Sequence, residues 1–110
     1  MSAPVQAAAS APFALAADTA GRLRASGPLT FATARTARLA GLEALQAAAD
    51  SLEVDLSGVT GADSAGLAVL VDWLAAARLA GRHLRLRAVP AGLLALARIS
   101  ELEPLLASGV

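Results

Sequence analysis

Apolar and polar residues alternate along Arg22-Leu23-Arg24-Ala25-Ser26, Leu52-Glu53-Val54-Asp55-Leu56 and His83-Leu84-Arg85-Leu86-Arg87-Ala88-Val89. A period of two marks a strand with one face buried. Phe13-Ala14-Leu15-Ala16 makes a further short strand, joined to Arg22–Ser26 as a hairpin through the turn residues Asp18-Thr19-Ala20-Gly21. Gly27-Pro28 is read as the end of that hairpin. Three other stretches have helical spacing. Leu39, Leu42 and Leu45 recur between about Thr33 and Ala49, with alanines between them. Ser64 to about Ala80 stops at Gly81, and Ala91 to about Ser100 opens after Pro90. Glu101 to Val110 fits a short helical turn or an edge strand. The pattern therefore predicts an α/β fold: a four- to five-stranded mixed sheet with helices packed mainly on one face. A sheet covered on both faces would show continuous apolar runs instead of alternation.

One junction stands apart. Val54 to Leu70 reads as a buried strand, a tight loop punctuated by Gly58 and Gly61, and a helix opening on Asp63-Ser64. A serine hydroxyl with a carboxylate beside it, at the amide-rich start of a helix, suits recognition of a partner. The plainer role is a helix cap, worth about 1 kcal/mol. In the following helix, Leu67, Leu70, Val71 and Leu74 share one side, predicted to face the core. Val69, Trp73, Ala76 and Ala80 share roughly the other. A tryptophan on an outward stripe of small residues would suit an interface anchor.

Composition narrows the function. At 110 residues the chain holds one domain. Residues 1–11 are small, polar or proline-bearing without periodicity and are read as a flexible tail, leaving 12–110 as the domain. The hydrophobic fraction is 56%, much of it alanine, which buries little area, and aromatics are scarce, so leucine, valine, isoleucine and alanine must build the core. Nine basic and nine acidic residues balance, which argues against nucleic acid as a partner. Cysteine is absent and histidine occurs once, so thiolate chemistry is excluded and no metal is expected. No acid pair, Ser-His arrangement or phosphate-cradling glycine loop is present, so no enzyme activity and no cofactor are expected. His83 and the arginines Arg78, Arg82, Arg85 and Arg87 are read as a solvated face. No apolar run approaches the roughly 20 residues of a membrane span. The expected location is cytoplasmic, with no direct membrane insertion.

The order of elements, with Val54-Asp55-Leu56-Ser57, Asp63-Ser64-Ala65-Gly66-Leu67 and Leu93-Leu94-Ala95-Leu96-Ala97-Arg98-Ile99, resembles the STAS family over about residues 13–106. That family includes anti-sigma-factor antagonists, cytoplasmic domains of sulfate transporters, and small subunits of lipid-transport ABC systems. The resemblance leans to the MlaB-like subunit of the Mla-type phospholipid-trafficking transporter. It implies a regulatory subunit that binds the transporter ATPase subunit and lies peripheral to the inner membrane through that complex. The alternative branch implies an anti-sigma-factor antagonist whose partner, a serine-kinase anti-sigma factor, phosphorylates the position of Ser64. Ser64 and Asp63 are the expected partner-binding residues, joined by Ala65, Gly66, Val69, Trp73 and Ala76.

Overall fold

The computed structural model describes residues 12–108 except Ala20 and Ala49, so the proposed tail at 1–11 lies outside the described residues. Its elements in chain order are β1 (Ala14–Thr19), β2 (Arg22–Leu29), α1 (Ala34–Ala47), β3 (Ser51–Ala62), α2 (Ser64–Leu79), β4 (His83–Arg87), α3 (Ala91–Ile99) and α4 (Glu103–Ser108). The four strands lie side by side in sequence order. β1 and β2 form an antiparallel hairpin, whereas β2–β3 and β3–β4 are parallel. Parallel neighbours need crossover connections, and α1 and α2 supply them. Within the ambiguous C-terminal stretch, Glu103–Ser108 is helical, with Leu106 fully buried.

Alternation decides which face is covered. Ala25, Leu52, Val54, Leu56, Leu84 and Leu86 are buried. The residues between them, Arg24, Glu53, Asp55, Arg85 and Arg87, lie on the other face, half-buried or exposed. There the charges are laid out by register, with Arg22 opposite Glu53, Arg24 opposite Asp55, and Asp55 opposite Arg87. Glu53 pairs with Arg87 at 3.0 Å and with Arg22 at 3.8 Å. Such exposed pairs add little stability. They leave the open face charged where the covered face is apolar.

Two expectations are corrected. Gly27-Pro28 does not end β2, which runs on to Leu29 and pairs with the far end of β3. The stretch around Gly58 and Gly61 is correspondingly strand rather than loop. Register shifts between Arg24 and Ser26 and between Gly27 and Pro28 place extra β3 residues opposite β2, so this half of the ladder is bulged. A proline, which has no N–H to give, is tolerated at such an irregularity. The extension brings the end of β2 against the start of α2.

The helical layer differs from the leucine pattern too. α1 buries Ala37, Gly41 and Leu45, while Leu39 is half-exposed. The reason is Trp73 on α2, which lies against Gly41 so closely that a Cβ there would overlap the indole. α2 is buried on two sides: Leu67, Leu70, Leu74 and Ala77 are in the core, and so are Val69 and Trp73.

Candidate functional site

The start of α2 is built by Asp63, whose extended backbone makes it the N-cap. Its Oδ1 accepts from the backbone N–H groups of Ala65 at 2.9 Å and Gly66 at 3.1 Å. These are donors that a helix start otherwise leaves unpaired. Its Oδ2 accepts from the Phe31 N–H at 3.0 Å, across from the β2–α1 connection. One carboxylate therefore caps a helix and fastens a neighbouring loop. The Phe31 N–H, followed by those of Gly66 and Ala65, holds the Asp63 carboxyl below the usual aspartate range. Asp63 is thus ionised at neutral pH, with its charge directed at backbone amides.

Capping belongs to Asp63, which leaves Ser64 free. Ser64 is the first helical residue, exposed, and its hydroxyl makes no hydrogen bond among the described residues. Ala65 beside it is half-buried. Gly66 is buried, and a Cβ there would run into the Leu29 carbonyl oxygen. Its smallness lets α2 begin against the end of β2. It shapes the site from behind and offers a partner no surface.

The outward stripe expected on α2 is corrected. Val69 and Trp73 are 3% and 1% exposed, so a partner cannot reach them. The Trp73 indole N–H donates to the carbonyls of Ala37 at 3.2 Å and Arg38 at 3.3 Å, and its ring meets Phe13 with centroids 6.2 Å apart. This satisfies the indole's single donor, which burial requires. Of that stripe Ala76 stays half-buried, in an apolar groove of about 220 Å³ with Leu42, Leu45, Gln46, Ala80 and Arg82. Arg82 is not part of a solvated basic face. Its guanidinium donates to the carbonyls of Leu45, Gln46 and Ala48, capping the end of α1 where a cation is favoured.

Phe31 is the surface aromatic that the sequence pattern misses. Its side chain is 84% exposed although its backbone is fixed. Besides the Asp63 bond, Thr33 Oγ1 accepts from the Thr30 N–H at 3.0 Å and donates to the Pro28 carbonyl at 2.8 Å, bracing the loop around it. The available signal is position. Phe31 falls after the alternating strand and before the helical spacing, where no period assigns a large side chain to the core.

α1 and α2 run alongside each other with an offset of 34 residues. Arg38 pairs with Asp72 at 3.2 Å, and the same step sets Leu42 by Ala76 and Gln46 by Ala80. Before α1 begins, the Phe31 N–H bond to Asp63 joins the β2–α1 connection to the residue that precedes Ser64. Among the described residues no three His, Asp or Glu side chains gather as a metal site, and no helix is long and apolar enough to cross a membrane.

A family model described as Mlab, STAS domain matches residues 14–107. The chain is a STAS domain of the MlaB-like family. Solved structures share its architecture. A candidate anti-sigma factor antagonist from Thermotoga maritima aligns with a TM-score of 0.70 at 16% identity, covering 86% of this chain and 83% of that one. The anti-sigma factor antagonist SpoIIAA in its unphosphorylated form aligns with a TM-score of 0.60 at 14% identity, covering 79% and 82%. No protein with a curated description matches. At these identities the two structures speak for the fold. In this STAS domain Asp63, Ser64, Gly66 and Leu67 occupy the strand-to-helix junction described above.

Proposed function

We propose that this STAS domain is a non-catalytic interaction subunit that binds and regulates the cytoplasmic ATPase of an Mla-type phospholipid-trafficking ABC transporter. It docks through the start of α2. The observation that carries the reading is the MlaB-like family match over residues 14–107, joined to a Ser64 hydroxyl left exposed because Asp63 does the capping. Regulation then follows from unequal contacts with two states of the ATPase, since a subunit binding both equally would shift neither. A second reading, an anti-sigma-factor antagonist switched by phosphorylation of Ser64, is favoured by the likeness to SpoIIAA, whose structure is of the unphosphorylated form.

One substitution series separates the two. The purified domain is expected to co-purify with the transporter ATPase of its own organism. Ser64→Ala should weaken that complex modestly and Ser64→Asp strongly, because a carboxylate brought into a docked surface must lose its water. Tight binding to a serine-kinase anti-sigma factor, abolished when that kinase phosphorylates Ser64, would replace the transporter reading with the second. Wild-type affinity of Ser64→Asp for both partners would remove the start of α2 from the interface.

A further inference from the structure

We propose that Phe31 is the apolar anchor of this docking surface, and that Asp63 is the residue that positions it. The inference rests on the transporter reading and names what the ATPase must present: a concave apolar pocket with a carboxylate at its rim.

Three observations converge. Phe31 is 84% exposed, the only exposed aromatic among the described residues, since Phe13 and Trp73 are buried. Its backbone is nevertheless pinned, by Asp63 Oδ2 on its own N–H and by the Thr33 hydroxyl across the loop. An aromatic held outward by its backbone loses little conformational freedom on binding, which is the economy that makes such side chains interface anchors. Two charges of opposite sign lie close to it, by hydrogen bond and along the chain, and only one of them has partners among the described residues. Asp63 is directed at three backbone amides, whereas Arg35, exposed on the first turn of α1, has no ion pair among the described residues. A partner pocket that takes the ring is therefore best matched by a carboxylate facing Arg35. The surface is joined to Ser64 through Asp63, the residue before it, whose carboxylate accepts from the Phe31 N–H.

Asp63 ties the two halves of the surface together. The same carboxylate holds the amides that open the Ser64 helix and the amide of Phe31. An event at Ser64 that draws Asp63 away releases Phe31 as well.

The test uses the intact domain and the purified transporter ATPase, with affinity measured by calorimetry. Phe31→Ala should weaken binding by about 30-fold or more, the loss typical of an anchor residue, while leaving the thermal midpoint unchanged. Arg35→Glu should weaken it less and mainly by slowing association. Asp63→Asn keeps one oxygen for Ala65 and Gly66 but turns an NH2 toward the Phe31 N–H. Hydrogen exchange at Phe31 should then quicken while that at Ala65 and Gly66 holds. The affinity loss of Asp63→Asn should not add to that of Phe31→Ala, because both act through one side chain. If wild type binds the ATPase and Phe31→Ala binds within about threefold of it, the anchor is overturned and the transporter reading stands. The anchor is likewise overturned if Phe31→Ala only dissolves a homodimer or only reduces binding to anionic lipid vesicles. If wild type itself fails to bind the ATPase, the transporter reading falls, and the occupant named here falls with it.

Discussion

Phe31 and Trp73 both belong to the layer formed by α1, α2 and the loop before them, yet their side chains are 84% and 1% exposed. Trp73 is held by its side chain. Gly41 gives the indole room, Phe13 covers it, and the carbonyls of Ala37 and Arg38 take its N–H. Phe31 is held by its backbone alone, through Asp63 and the Thr33-braced loop. Fixing the ring of Trp73 makes it structure; fixing only the main chain of Phe31 leaves its ring for something else. The two aromatic positions therefore answer different questions, one about stability and one about recognition.

The sharpest way to break this contrast is to remove the buried ring. Trp73→Ala should cost about 3–5 kcal/mol, as expected for a large aromatic deleted from a packed core. In a domain of this size that lowers the thermal midpoint by more than about 10 °C. Calorimetry would read it directly, and a loss under about 1 kcal/mol would mean that the ring is not packed as described.

Gly41 sharpens the same point with a sign. Placed inside a helix, Gly→Ala usually gains up to about 1 kcal/mol. Here the added Cβ meets the Trp73 indole, so Gly41→Ala should instead destabilise by about 1–3 kcal/mol. In a Trp73→Ala background the obstacle is gone and the same change should stabilise. A double-mutant cycle of urea unfolding measures the reversal. A destabilising Gly41→Ala in both backgrounds would show that something other than the indole fills the space.

This pair also shows what is legible in the sequence. Period-two alternation places three strands and the open charged face, because one covered face leaves a direct mark on residue order. A cap at Asp63-Ser64 and the glycine after α2 are legible as local chemistry, although which of the two residues caps is decided only by the hydrogen bonds of Asp63, and Gly81 does adopt the left-handed conformation that such a glycine supplies. Trp73 is misread from the pattern because a helical wheel has two sides and this helix is covered on both, by the sheet and by α1. Nothing in α2 alone announces Gly41, which makes the second cover possible. The far half of β3 reads as a loop because glycines at bulges look like glycines at turns. Phe31 escapes the pattern since its loop is fixed by a carboxylate 32 residues away, a distance at which residue periodicity is silent.

Acid separates the two aromatic positions most gently. The Asp63 carboxyl titrates below its ordinary range because its ionised form accepts from Phe31, Gly66 and Ala65. Its contribution to stability is therefore full above the ordinary aspartate value and is lost as pH falls through the lowered one. The acceptors of the Trp73 indole are carbonyls and do not titrate. Protection factors of the Phe31, Ala65 and Gly66 amides should thus fall with acidification below the ordinary aspartate range, while that of the Trp73 indole N–H persists. Asp55 and Glu103 are also held low, by Ser57 and by Arg98 respectively, and those contacts lie outside the α1–α2 seam. Loss of protection at Trp73 in step with Phe31 would show one cooperative unit. Loss at Phe31 first would show that the Phe31 loop opens while the buried indole stays closed, as a surface released through Asp63 requires.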